Sequence, residues 1–200
     1  MYTYSSEWIH RFENRRHWLF YWHQISLIQS HISRGDKILE IGMGSGFTSN
    51  YLRSKSYQVK TLDIDPAKDP DIIANLVEYD YPEPFDYVLA FEVFEHIPFE
   101  DFEKVLSNMS KVCQKGLLIS LPRNEKVWLR ISMELPGSKI SNFKIATRRR
   151  KLISKHHYWE IDYKSFSKSR IEELFEENNF EIVTLNKIYS LYFYALKKIV

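Results

Sequence analysis

Two hydrophobic rhythms alternate along the chain. From residue 7 to residue 31 there is no Gly or Pro, and Trp8, Ile9, Phe12, Leu19, Trp22, Ile25 and Ile28 recur at helical spacing, which predicts one long helix or two shorter ones. Arg34-Gly35-Asp36 breaks that pattern, and Ile38, Leu39 and Ile41 form a β-favouring run that leads straight into glycine. A helix starts over 48–53, and apolar runs at 58–62, 71–76, 85–91 and 117–121 predict four more buried strands. Between the last two, Phe102, Val105, Leu106 and Met109 share the inner face of a helix that Pro98 opens and Gly116 stops. Ser169-Arg170-Ile171-Glu172 reads as a capping box, Asn179 as a left-handed helix stop, and the runs 180–185 and 191–198 as a hairpin.

The junction at 37–53 carries the chemistry. Gly42, Gly44 and Gly46 let a ligand approach the main chain closely, and the helix start offers free N–H groups and a positive dipole end. Strand, glycine turn and helix start together make a nucleotide cradle. A pyrophosphate site wants G-x-G-x-x-G, whereas here the order is E-x-G-x-G-x-G with Glu40 in the strand end. An acid there repels phosphate but can hold an ammonium group or order the loop through its N–H groups, which points to a cationic, phosphate-free nucleoside. Asp63, at the end of the second strand and seventeen residues after Gly46, can accept both ribose hydroxyls. Asp65 instead suits the turn that begins at Pro66.

The segment Glu40-Ile41-Gly42-Met43-Gly44-Ser45-Gly46 resembles the first motif of the class I S-adenosylmethionine-dependent methyltransferases. The resemblance implies an α/β fold: a doubly wound, Rossmann-like sheet of seven mostly parallel strands with an antiparallel C-terminal hairpin. It implies one domain, with a helical lid at 1–34, a cofactor-binding half at 37–121, a basic substrate-side insertion at 122–163 and a terminal helix and hairpin at 164–200. The implied cofactor is S-adenosyl-L-methionine, bound by Glu40, Gly42, Gly44, Gly46 and Asp63. An adenine contact is implied just after the third strand, at Asn75 or the backbone of Leu76, where many relatives carry Asp. Glu92, delivered at the carboxyl end of the fourth strand, completes the cofactor set.

Methyl transfer needs alignment, exclusion of water and, for a hydroxyl acceptor, a base. Glu92-x-x-Glu95-His96 places two carboxylates and an imidazole on one side of a helical turn, a set that could also ligate Mg²⁺ or Zn²⁺. The pattern resembles that of quinone-biosynthesis O-methyltransferases and small-RNA 3′-end methyltransferases, which bind metal through it. It also resembles metal-free relatives, and the metal-free reading is preferred. His156-His157-Tyr158-Trp159-Glu160 supplies a second cluster, in which His157 ranks first as base, ahead of His96, and Tyr158 and Trp159 could wall an acceptor.

Composition narrows the field. The 200 residues suit one domain, and a net charge of +2 does not demand nucleic acid. The lone Cys113 excludes an internal disulfide and a cysteine zinc cluster. No early apolar run is long enough for a signal peptide or a membrane span, so the expected location is the cytoplasm. Within 122–163, ten Lys and Arg face four Asp and Glu, an excess of six (10 − 4) that would attract an anionic substrate or an acidic membrane surface. The leading expectation is methyl transfer to a small molecule, on oxygen ahead of nitrogen, since Phe91-Glu92-Val93-Phe94 stands where amino-directed enzymes carry Asp/Asn-Pro-Pro-Tyr/Phe. RNA methylation, encouraged by Arg148-Arg149-Arg150-Lys151, ranks second, and a binding module without transfer activity is the non-enzyme alternative.

Overall fold

The structure is a computed structural model that describes residues 14–133 and 141–199 together with Ile9 and Arg11. Helix α1 (Arg15–His31) starts at Asn14, whose side chain accepts the N–H groups of Arg16 and His17. Most of the stretch before it lies outside the described residues, so the expected helix is described in its second part. Strand β1 (Lys37–Ile41) passes through the glycine turn into α2 (Phe47–Ser54), and β2 (Gln58–Asp63) and the two-residue β3 (Ile72–Ile73) follow. The strand expected over 71–76 is shorter because the exposed Asp71 carboxylate folds back on β2, accepting from the Thr61 N–H and hydroxyl, while the Asn75 side chain opens a new turn.

Strand β4 (Phe85–Phe91), helix α3 (Phe99–Val112) and β5 (Cys113–Pro122) complete the parallel half. Helix α4 (Lys168–Glu177) then leads to β8 (Phe180–Ile188) and β9 (Leu191–Lys198). Its cap is Ser167, which accepts the Arg170 N–H at 3.1 Å, two residues before the expected capping box. Asn179 does close it in the left-handed region, at φ 62°.

The sheet order is β3-β2-β1-β4-β5-β9-β8, with β9 antiparallel to both neighbours. This is the expected seven-stranded, mostly parallel α/β sheet with a terminal hairpin. Successive strand residues point to opposite faces, so Ile38 packs under α1 and α2 while Leu39 packs under α3 and α4. Phe102, Val105, Leu106 and Met109 form the buried stripe of α3, as their spacing predicts. The chain order reverses between β1 and β4, and the crevice above their carboxyl ends is where an open α/β sheet receives a ligand. Two further strands, β6 (Lys126–Met133) and β7 (Ser141–Thr147), form a ribbon of their own that, among the described residues, is hydrogen-bonded to no strand of the main sheet.

Candidate active site

A cavity of about 460 Å³ opens above the ends of β1 and β4, in the usual range for small-molecule sites. Its floor is the glycine turn, with φ +71° at Gly42 and +58° at Gly44. A Cβ on Gly42 would stand 2.6 Å from a Val93 methyl, so the turn can press against the segment after β4 only as glycine. At Gly44 a Cβ would meet nothing nearer than Ile9 at 3.8 Å, which leaves the cradle open. Gly46 is the N-cap of α2 and, having no side chain, caps none of the first N–H groups of the helix itself.

Helix α1 covers this floor. The Thr48 hydroxyl donates to Gln24 at 3.0 Å, the hydroxyls of Tyr21 and Ser45 lie 3.0 Å apart, and the Tyr21 ring packs on Phe47. Beneath the turn, Glu40 is buried and its Oε2 has no hydrogen-bond partner among the described residues. Burial pushes its carboxyl up to about 8, against the opposing pull of Ser49 and Arg53.

Asp63 reaches the cavity at the end of β2. One of its oxygens accepts the Asp65 N–H at 3.0 Å and the other the Lys68 ammonium at 3.0 Å, both side chains being buried. A carboxylate has about four acceptor sites, so roughly two remain for hydroxyls. Asn75 does not line this cavity: its side chain accepts the Val77 N–H at 3.1 Å, and Ala74 and Leu76 form the wall instead. Of the adenine contacts expected, only the Leu76 alternative lies at the pocket.

The opposite end is built around the segment after β4. Glu92 sits in the left-handed region at φ 55°, a costly conformation for a residue with a side chain, held by its N–H bond to Ser120. Its carboxyl is raised by burial, with His157 and Arg16 pulling the other way. The turn Phe94–His96 then buries Glu95, whose Oε2 has no hydrogen-bond partner among the described residues and whose carboxyl is pushed well up by burial, Glu92 and Glu160. His96 turns Nδ1 to the His156 carbonyl at 3.1 Å, and burial lowers its imidazole to about 4. The Tyr158 N–H donates to the Glu95 carbonyl at 2.8 Å, a second clip that lays 156–158 onto this turn.

Those clips bring His157 to the cavity, 5.0 Å from His96 ring to ring. Its Nδ1 lies 2.8 Å from Oε1 of Glu160, which is fully buried and also accepts the Ile153 N–H and the Asn124 amide. A carboxylate there fixes the proton on Nδ1 and leaves Nε2 the basic nitrogen. Sequence reading named Glu160 in the second cluster without giving it a role, although it lies three residues from His157, and missed Asn124. Tyr158 and Trp159 do not wall the cavity. Trp159 is fully buried against Phe99 and Phe102, and Tyr158 is on the surface. Glu95, His96 and His157 offer ligand atoms that all lie within 4.8 Å of one another, a group that could hold a metal ion.

The donor set fits a nucleoside bearing a sulfonium and an ammonium. Glu40, Asp63, Glu92 and Glu95 line the cavity, and of its two long cations Lys68 is tied to Asp63. With Lys68 committed to Asp63, little in this lining would neutralise a pyrophosphate, whereas hydroxyls and cationic groups meet carboxyl oxygens. Such a crevice, glycine-turned and acid-lined at the switch point of this sheet, defines a class I methyltransferase fold. The chain belongs to the class I S-adenosylmethionine-dependent methyltransferases: the family model described as a methyltransferase domain matches residues 8–185.

No curated protein sequence matches the chain. Among solved structures, magnesium protoporphyrin IX methyltransferase from Synechocystis PCC 6803, with bound SAM, is similar at TM-score 0.61 and 14% identity over 90% of this chain and 80% of that one. The 1,6-didemethyltoxoflavin-N1-methyltransferase of Burkholderia thailandensis, with bound 1,6-didemethyltoxoflavin and S-adenosylhomocysteine, reaches 0.61 at 13% over 90% and 78%. The N-methyltransferase NodS of Bradyrhizobium japonicum WM9 reaches 0.61 at 12% over 93% and 98%. At these identities the likeness is one of fold.

Proposed function

We propose that this protein transfers a methyl group from S-adenosylmethionine to a small-molecule acceptor, with a hydroxyl oxygen preferred to nitrogen. The observation that carries the reading is the His157–Glu160 pair, with Nδ1 held at 2.8 Å by a fully buried carboxylate and the ring on the wall of the glycine-turned cavity. Bound S-adenosylmethionine would supply an electrophilic methyl on a positively charged sulfur. Gly42, Gly44 and the first turn of α2 would receive its main body, Asp63 the ribose hydroxyls, and Glu40 or Glu92 its cationic groups. Helix α1 would cover it, keeping water out. His157 takes the acceptor's hydroxyl proton on Nε2 as that oxygen becomes nucleophilic, and Glu160 steadies the resulting imidazolium. The family resemblance and the small-molecule substrates of the similar structures support this choice of acceptor class.

A screen of phenols, sugars and amines, read by S-adenosylhomocysteine release, tests the reaction. On the acceptor found, His157→Ala should cost about 10²–10⁴-fold in kcat with cofactor affinity unchanged. Glu160→Gln should cost at least about tenfold and move the acidic limb of the pH–rate profile to lower pH, because the imidazolium loses its carboxylate partner, which a merely structural role would not do. If His157→Ala weakens cofactor binding and spares kcat, the assignment of the base is wrong.

A second reading has its own observation. The shared space of Glu95, His96 and His157 favours metal-assisted O-methyl transfer, with the Glu160–His157 bond as the outer support that metal-bound imidazoles commonly have.

A further inference from the structure

The basic insertion holds a feature that methyl transfer does not use. In the β6–β7 ribbon Leu129 stands directly across from Ile145, and Ile131 lies two residues along the same face. All three are exposed, at 43%, 47% and 44%, and Trp128 beside them is 62% exposed. The Trp128 indole is fixed by a hydrogen bond to Thr147 and covered by the Lys126 ammonium, 3.9 Å from the ring. A two-stranded ribbon with no sheet partner buries such a face only against something else.

The charges around it say what that something is. The acids of the insertion that the structure describes are turned inward: Glu125 is buried on Lys144, Glu160 is buried on Asn124 and His157, and Asp162 holds Arg123. The cations are turned outward. Lys126, Arg148, Arg149, Arg150, Lys151 and Lys155 all lie on the exposed surface of the ribbon or of the segment that follows it. Apolar side chains with a tryptophan at their border, flanked by exposed Lys and Arg of which Arg148 reaches Asp162 at 4.0 Å, match the boundary of an anionic bilayer. A basic surface for RNA alone would not need the aliphatic face.

We propose that the β6–β7 ribbon docks the protein on an anionic lipid surface, with Trp128, Leu129, Ile131 and Ile145 entering the interface and the 148–155 cations resting on headgroups. That segment ends at Ile153 and Ser154 on the cavity wall, so docking carries the cavity mouth to the membrane. The acceptor class this favours is an amphiphile held in the bilayer. That last step rests on the transfer reading; the docking itself does not, and the two fail separately.

Vesicle co-sedimentation of the full chain tests the docking, with phosphatidylcholine alone compared with phosphatidylcholine–phosphatidylglycerol. The expected partitioning is at least about tenfold stronger on the anionic vesicles and falls with added salt. Leu129→Ser with Ile131→Ser should lose about tenfold on anionic vesicles at unchanged melting temperature. Arg148→Glu with Arg150→Glu should abolish the preference for anionic lipid, which keeps the test decisive if the first pair disturbs the ribbon. Equal or absent binding to both vesicles overturns the proposal. So does a dimer in sedimentation velocity that the serine variants dissociate, or binding to single-stranded RNA in place of vesicles.

Discussion

Glu40→Gln is the perturbation whose size the structure fixes best. The carboxyl is buried beneath the glycine turn, and burial pushes it up to about 8 from an ordinary 4.5. The folded protein therefore keeps a proton that the unfolded chain releases near pH 4.5. Below that value both states are protonated and nothing is lost. Between about 4.5 and about 8 each pH unit costs the folded state ~1.4 kcal/mol, so stability declines as pH rises. From pH 5 to pH 8 the loss attributable to this one group is about 4 kcal/mol. Glutamine has the same shape and never ionises, so the variant should lack that loss, and all other titrations cancel in the comparison. For a domain of this size ~1 kcal/mol moves Tm by roughly 2–4 °C. The variant should thus gain roughly 8–16 °C on the wild type between pH 5 and pH 8 in cofactor-free thermal melts. If the two melting curves shift in parallel with pH, Glu40 is not a buried neutral acid and the account of the cradle fails.

Other outcomes follow from the same geometry. Gly44→Arg should abolish S-adenosylhomocysteine binding in calorimetry while the circular dichroism spectrum stays native, because a side chain there at φ +58° projects where the ligand's main body would lie. Full affinity in that variant would show the cradle to be elsewhere. Exhaustive chelation followed by metal add-back separates the two catalytic readings. Activity indifferent to the chelator removes the metal-assisted one, whereas loss restored by a single divalent ion makes His157 a ligand and not the base.

How much of this the sequence carried depended on the range of the interactions. The buried strands and the helix α3 were legible because their burial is written into local residue type, whereas their assembly into one seven-stranded sheet was implied by the resemblance of the glycine motif. The glycine turn was legible for the same reason: the backbone conformation at Gly42 excludes other residues locally. Misjudged boundaries lay where side chains compete with the ladder. Asp71 and Asn75 bond to nearby backbone and shorten β3, and Ser167 caps α4 ahead of an equally suitable Ser169. The ribbon was read as part of a basic substrate-side insertion, and its strands went unseen because exposed β-residues carry no burial signal.

The catalytic end was legible only by half. His157 could be chosen for its chemistry, but its orientation depends on Asn124, thirty-three positions earlier (157 − 124), which holds Glu160 in place, and on two backbone clips to the turn after β4. None of these partners is marked by a spacing in the chain. Trp159 illustrates the converse error. Its chemistry suits an acceptor wall, yet in the fold it is the fully buried anchor that lets its neighbours face the cavity. Along 156–160, one residue is clipped to the turn, one faces the cavity, one reaches the surface, one fills the core and one holds the cavity-facing imidazole. A short irregular segment can divide its residues this way because it has no fixed period, so long-range packing decides which side chain meets the substrate.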